Sequence, residues 1–424
     1  MRICVFEDNG VGKLGPLSLT RPAFGLRCGA ATLLERQLRL FGGAEAGLWV
    51  RPELAGLCRR EHPGLPVNEP GWLGRGPVLL VNARWLAPAA LPALGERPAV
   101  GLASGEVAFV LLGAAEAHAL TAGDLPWRPA EWKQVLPHVE AGGRVVEYLW
   151  ELVEANGDAL ERDYEHWRAA RAVRGAEGLT VVGPPQRFLA APSARVEPLV
   201  LVDTTGGPVL LDDGAVVQAF SRLEGPCYVG PGTRLHAARV RDVSFGPQCR
   251  VGGEVEASVV QGHSNKAHEG FLGHSYLGEW VNLGAGTQTS DLRADYGPVS
   301  VPAHGRRVDT GRAKVGSFVG DHVKTSLGVL LNTGTAVGPF GLLLTSGGLL
   351  PRWVPPFGQY AHGRLEERSD LRAMFATAAA VMARRGRGWA EEHAEFYFGL
   401  YERTAAERRQ AVREGEQRRL RRVV

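Results

Sequence analysis

The sequence predicts three parts in series: a Rossmann-like α/β domain over residues 1–165, a left-handed parallel β-helix of hexapeptide repeats over 166–360, and a C-terminal helical segment over 361–424. Three observations carry this reading. Short apolar segments alternate with helical ones near the N-terminus. Aliphatic residues recur at six-residue steps in the middle of the chain. A helical period returns after about Leu365.

At 424 residues the chain is long enough for two or three domains, each with its own core. A formal net charge of +3 excludes a general polyanion binder, so no nucleic-acid partner is expected. No apolar run approaches the ~20 residues that span a bilayer. MRICVFEDNG begins with a short strand where a signal peptide needs a charged head and a long apolar stretch. A cytoplasmic protein with no membrane partner is the expectation. Cys4, Cys28, Cys58, Cys227 and Cys249 are scattered and form no C-x-x-C, which argues for buried thiols rather than disulfides or a cysteine-built zinc site.

Ile3, Val5 and Phe6 predict the first strand of the α/β part. Gly10, Gly12, Gly15 and Pro16 make the loop after it, too loosely arranged for a phosphate cradle. Leu33, Leu34, Leu38 and Phe41 share one face of a helix over about 30–41. Gly47–Arg51 and Val78–Asn82 read as further buried strands, and the alternation predicts a doubly wound sheet. The helical, acidic stretch 145–169 reads as a connector.

In the middle, Leu211, Val217, Leu223, Val229 and Leu235 stand six apart, with small residues (Ala215, Ser221, Cys227, Thr233) between them. The step resumes at Phe245 and Val251, at Phe271, Leu277 and Leu283, and at Val319, Thr325, Leu331 and Val337. A six-residue step fits neither a helix nor a long alternating strand. It fits a coil in which each hexad supplies one short strand and one turn, and three hexads close a triangle with the aliphatic side chains inward. Farther on, Leu371, Phe375, Ala379 and Met382 follow a helical period. A second helical region runs from Glu391 to a basic terminus, read as a solvated or subunit-packing arm.

Only five of the 48 basic residues are lysine, and Lys266, Lys314 and Lys324 share one glycine-rich stretch with Asn265, Asn282 and Asn332. Residues 261–296 interrupt the repeat with a dense polar run that regular coils do not need. Here the chain resembles the alternative bacterial class of bifunctional sugar nucleotidyltransferase/glucosamine-1-phosphate N-acetyltransferase proteins, diverged relatives of the enzyme that makes UDP-N-acetylglucosamine. The resemblance rests on PLSLTRP (Pro16–Pro22), LRCG (Leu26–Gly29), VNAR (Val81–Arg84), SNKAHEGFLGHSYLGEWVNLGAGT (Ser264–Thr287), GDHVKT and LNTGT, and runs to about residue 360.

The resemblance implies a nucleotidyltransferase-like N-terminal domain that joins an NTP to a sugar 1-phosphate with Mg²⁺. It implies a β-helix that acetylates an amino-sugar phosphate from acetyl-CoA, and packs as a homotrimer with ligand clefts between copies. His268, fourteen residues before Asn282, becomes the base, with His274 as a competitor. Asn265, Lys266, Asn282, Gly284, Gly286, Thr287, Arg293, Tyr296 and Lys324 become candidate ligands of substrate or cofactor. Arg21 and Arg27 become the cations for a triphosphate. Asn82 stands where the better-known enzyme has a magnesium-binding aspartate, so Asp8 (or Glu7) becomes the candidate Mg²⁺ ligand.

The chemistry agrees. Acetyl transfer to an amine needs a proton acceptor that titrates near neutral pH, which histidine does. It needs donors for the developing oxyanion, such as the amides of Gly284–Gly286. Phosphates need cations, for which Lys266, Arg293, Lys314 and Lys324 are candidates. Two other readings stay open: a zinc enzyme using His263, His268, His274 and His322, and a non-catalytic sugar-nucleotide scaffold.

Overall fold

The computed structural model describes residues 2–91, 94–95, 97–120, 125–345 and 347–420. The chain forms two compact units. One comprises Met1–Leu14, Arg21–Leu26 and Ala31–Tyr148; the other comprises Gly15–Thr20, Arg27–Ala30 and Leu149–Val424. Most of the stretch read as a connector forms helices Leu149–Glu154 and Asn156–Ala170 of the second unit.

The first unit is built on a six-stranded sheet in the order 45–49, 2–6, 78–82, 106–112, 99–103, 138–140. Its first three strands are parallel, as a doubly wound sheet requires, and Ile3 to Phe6 are all buried because both faces are covered. The doubly wound reading stops there, since Glu106–Leu112 runs antiparallel to both its neighbours. Ser104 and Gly105 both take left-handed angles (φ 52° and 81°), a two-residue hairpin that returns the chain with no room for a crossover helix. Helix Leu33–Leu40 starts at a capping box between Thr32 and Glu35. Its buried Gln37 donates to the carbonyls of Asn82 and Trp85 and so fixes the end of the central strand.

The second unit is the expected parallel β-helix. Leu211 stacks on Val229, Phe245, Val260, Leu277, Val319, Val337 and Val354 in one inward column. Val217, Leu235, Val251 and Lys266 form a second column; Val202, Leu223, Val240, Val255 and Leu272 form the third. Six residues therefore carry the chain from one face to the next, and three steps return it to the first. Burying each aliphatic side chain contributes about 1.5–3 kcal/mol, so the regular positions hold the coil together. Glycine serves coil contact as well as turns: a Cβ on Gly246 would lie 1.9 Å from the Gln261 carbonyl oxygen. A hairpin (Ser300–Ala303 with Arg306–Asp309) leaves the coil between the Leu277 and Val319 rungs.

One corner carries an aromatic ladder. His263, Trp280, His322, Phe340 and Phe357 all have φ between 52° and 61°, and successive rings stack at centroid separations of 4.3, 6.3, 4.7 and 5.1 Å. Left-handed angles are unfavourable for such residues, and the ring contacts offset that cost. The C-terminal helices dock on this ladder: Phe375 meets Phe340 at 6.0 Å, and Tyr397 meets His322 at 5.5 Å and Phe340 at 5.0 Å. Helix Leu371–Ala383 buries Met374, Ala378 and Met382; of the expected Leu371, Phe375, Ala379 and Met382, only Met382 is fully buried, and Phe375 packs on the ladder. Helix Ala405–Leu420 is no solvated arm over its described length. Its Arg408 is fully buried on Glu367 and the Tyr401 ring, and Ala411 joins the β-helix core, covering its last strands. Residues 421–424 of the basic terminus lie outside the described residues. No helix among the described residues is long and apolar enough to cross a membrane.

Candidate functional site

In open α/β sheets, ligands sit beyond the C-terminal ends of the parallel strands. In the first unit the two carboxylates at that place, Asp8 and Glu7, are engaged by protein donors. Asp8, after the first strand, accepts from Arg84 Nε at 2.7 Å and Nη2 at 2.6 Å, from Asn82 Nδ2 at 2.9 Å and from the Gly10 amide at 3.1 Å. All three side chains are buried. Burial by itself would raise the Asp8 pKa, but the bonds and charge of Arg84, with Asn82 and Gly10, hold it below the usual carboxylate range. Arg84 also donates to the Val146 carbonyl. Glu7 is similarly engaged, accepting from the amides of Ala23 and Arg51 and from the Arg51 guanidinium. Neither carboxylate fits the Mg²⁺ expected there: a divalent cation needs open oxygens, and these are occupied by protein donors with a guanidinium supplying the charge.

Arg21 and Arg27, read together as triphosphate cations, fall in different units. Half-buried Arg21 receives an Arg51 bond on its carbonyl. Arg27 is buried on the β-helix, its amide donating to Gln261 Oε1 and Tyr276 Oη, and its guanidinium 5.7 Å above the Tyr228 ring.

The β-helix is arranged differently. Outward residues of one face stack as Arg234, Arg250, Asn265, Asn282 and Lys324. Beside them lies a cavity of about 580 Å³. Four predicted residues line it: Asn265, His268, Asn282 and Gly284. So do His236, Arg250, Arg384 and Arg385, which sequence reasoning missed, with Ala285, Thr325 and Ser326 among the smaller neighbours. No carboxylate is among the lining residues.

Exposed His268 is anchored through its carbonyl, which accepts from Lys266 Nζ at 2.9 Å. Lys266 was expected to meet a phosphate. It instead points inward at a core position, and Nζ also donates to the Gly252 carbonyl at 2.7 Å. Burial pulls its pKa down to about 8. Lys324 donates to the Trp280 carbonyl; burial, then the nearby Arg368, bring it to about 8 as well.

Two of the three amides expected to face an oxyanion, those of Gly284 and Gly286, are already engaged. Gly284 N donates to Thr325 Oγ1 at 2.8 Å, Gly286 N to the Glu269 carbonyl at 2.9 Å, and Thr287 N to the Gly284 carbonyl at 3.1 Å. The amide of Ala285, on the same turn, has no acceptor among the described residues. Arg293 pairs with Asp295 on an exposed turn, and Tyr296 is 75% exposed; neither lines the cavity.

The four histidines of the zinc reading do not converge within one chain. His263 and His322 are buried in the ladder, His274 Nδ1 lies 2.7 Å from Asp291 Oδ2 outside the cavity, and His268 lines it. Among the described residues no three His, Cys, Asp or Glu are grouped to hold a metal.

His236 Nδ1 lies 2.7 Å from Gln218 Oε1. Burial lowers its pKa, and Arg250, Arg234 and His268 add to the effect. Arg250 Nη1 donates to the carbonyls of Gly232 and Cys249. Arg385 Nη2 donates to Asn265 Oδ1 at 3.0 Å. Arg250 was legible in principle, since it precedes inward Val251 as Asn265 precedes Lys266. Arg384 and Arg385 were not: they follow more than a hundred residues later, in a segment with no repeat.

Residues 3–172 match the family model described as sugar nucleotidyl transferase. The chain is similar to the bifunctional sugar-1-phosphate nucleotidylyltransferase/acetyltransferase of Sulfurisphaera tokodaii, 39% identical over 87 residues, covering 20% of this chain and 22% of the relative. It is similar to the bifunctional protein GlmU of Methanocaldococcus jannaschii, 39% identical over 85 residues (20% and 21%). It is also similar to that of Rippkaea orientalis, 29% identical over 168 residues (33% and 34%). The resemblance read from the sequence motifs is thus found again. The chain spans about a fifth to a third of the length of these curated relatives. Among solved structures, the acetyltransferase domain of PglB from Neisseria gonorrhoeae in complex with acetyl coenzyme A aligns with 53% of this chain and 79% of its own, at 16% identity and a TM-score of 0.16.

Proposed function

We propose that this chain is a sugar-nucleotide biosynthesis transferase whose β-helix acetylates an amino-sugar phosphate from acetyl-CoA. One observation carries the reading: His268, Asn265 and Asn282 meet in a cavity whose charged lining is wholly cationic. As the amine nitrogen bonds to the thioester carbonyl carbon it gives up a proton, which His268 accepts; the C–S bond then breaks and the thiolate leaves. The Ala285 amide is the donor available to the transient oxyanion.

For the first unit, the family match over residues 3–172 supports nucleotidyl transfer to a sugar; an NTP and a sugar 1-phosphate as substrates, and UDP-N-acetylglucosamine as the product class, are carried over from the resemblance in the sequence motifs. No residue there is assigned to Mg²⁺, because Asp8 and Glu7 are engaged. A cytoplasmic homotrimer packed through the β-helix belongs to the same reading. Leu199 and Phe220, neighbouring corner residues with largely exposed side chains, are consistent with packing against other copies.

The test is incubation with glucosamine 1-phosphate, acetyl-CoA, Mg²⁺ and mixed NTPs, with products read by mass. An N-acetylated sugar phosphate is expected, and His268→Ala should reduce its formation by roughly 10²–10⁴-fold. Binding of these ligands without turnover would sink the enzymatic reading in favour of a scaffold.

A further inference from the structure

We propose that the C-terminal arm completes the cavity as a phosphate-binding subsite, with Arg384 and Arg385 acting together with Arg250 of the β-helix. The inference deepens the acetyl-transfer reading and rests on it for the identity of the ligand. Three guanidiniums line one cavity with no carboxylate among its lining residues, so the site carries an uncompensated positive charge. Their crowding is felt within the protein: burial, then Arg385 and Arg234, push the Arg250 pKa below its ordinary value. Arg385 is held at Nη2 by Asn265, yet its Nε is buried with no acceptor among the described residues. A buried N–H without an acceptor is costly, and an anionic oxygen would satisfy it.

The arginines are also held in position. Residues 384–390 link two helices anchored on the aromatic ladder by Phe375 before the link and Tyr397 after it, and Trp389 within the link stacks on Tyr397. Phosphate matches them better than a carboxylate does. It offers three oxygens and up to two charges to planar donor forks. The acceptor's phosphate and the phosphates of CoA share this chemistry.

Calorimetric titration of the full-length chain tests it, using inorganic phosphate, glucosamine 1-phosphate, CoA and dephospho-CoA. Arg385→Ala should weaken a phosphorylated ligand about ten- to hundredfold. A loss for glucosamine 1-phosphate alone assigns the subsite to the acceptor. A loss for CoA, with dephospho-CoA unaffected, assigns it to the donor's 3′-phosphate. The Arg384 side chain is exposed and has no hydrogen-bond or ion-pair partner among the described residues, so Arg384→Glu should fold normally, which a melting curve verifies, and should weaken the same ligand. Unchanged affinity for every ligand in both variants overturns the subsite. If these arginines govern phosphate affinity but no acetylated product forms, the subsite stands and the acetyl-transfer reading falls. If product forms with both KM values unaltered by Arg385→Ala, the subsite alone falls.

Discussion

The two units treat clustered charge in opposite ways. In the first, Asp8 meets Arg84, Asn82 and Gly10, and each of its oxygens has donors within 3.1 Å. In the second, Arg250, Arg384, Arg385 and two histidines face a cavity that returns no negative charge. Both clusters lie where their folds usually hold ligands. A matched set is closed and serves structure, whereas an unmatched set of like charges is stable only because space and solvent are left for a ligand. The lesson is to count partners before assigning a site.

The sharpest way to break that contrast is Asp8→Ala. It leaves Arg84 buried and unpaired, and should cost about 3–5 kcal/mol, read by chemical denaturation of the first unit. A loss below 1 kcal/mol would show that the pair is not structural. The pH dependence follows from the lowered Asp8 pKa. Its contribution is fully present above the unfolded carboxylate value of about 3.9 and is lost as pH falls through the lower folded value. Asp8→Asn should remove that component of acid sensitivity.

Behind the cavity-lining His236, Gln218→Glu places a carboxylate beside Nδ1 and should raise that histidine's pKa. If His236 shares in proton transfer, the acid limb of the kcat/KM profile moves to higher pH; an unmoved limb leaves the proton with His268. A smaller effect comes from Lys266 and Lys324. Both have folded pKa values of about 8 against an ordinary lysine value of about 10.4, so the unfolded chain binds more protons between those values. Stability of the second unit should therefore rise with pH across that window, and Lys266→Met should flatten the rise. Smallest of all, Arg293→Ala removes an exposed pair with Asp295 and should change stability by less than about 0.5 kcal/mol.

Much of the β-helix was legible because its inward positions must be apolar at every hexad, which leaves a period in one dimension. Asn265, His268 and Asn282 were legible as departures from that period. Lys266 was noticed for the same reason but misread: a lysine on an inward column is a buried strut, and only the register with Val251 reveals this. Asp8 and Arg27 were misread because sequence spacing carries no information about partners. Arg84 lies 76 residues from Asp8, and Tyr276 lies 249 from Arg27.

By itself the sequence determined the three-part order of the chain, the coil and the neighbourhood of its polar face, since these follow from local periodicity and composition. Tertiary structure alone decided that the Asp8 cluster is closed, that Gly284 and Gly286 already donate elsewhere, and that an arginine pair from the link between two C-terminal helices reaches the cavity. Hydrogen bonds and charges act through space over a few ångströms, and the residues that meet at that distance here are separated by up to hundreds of positions along the chain.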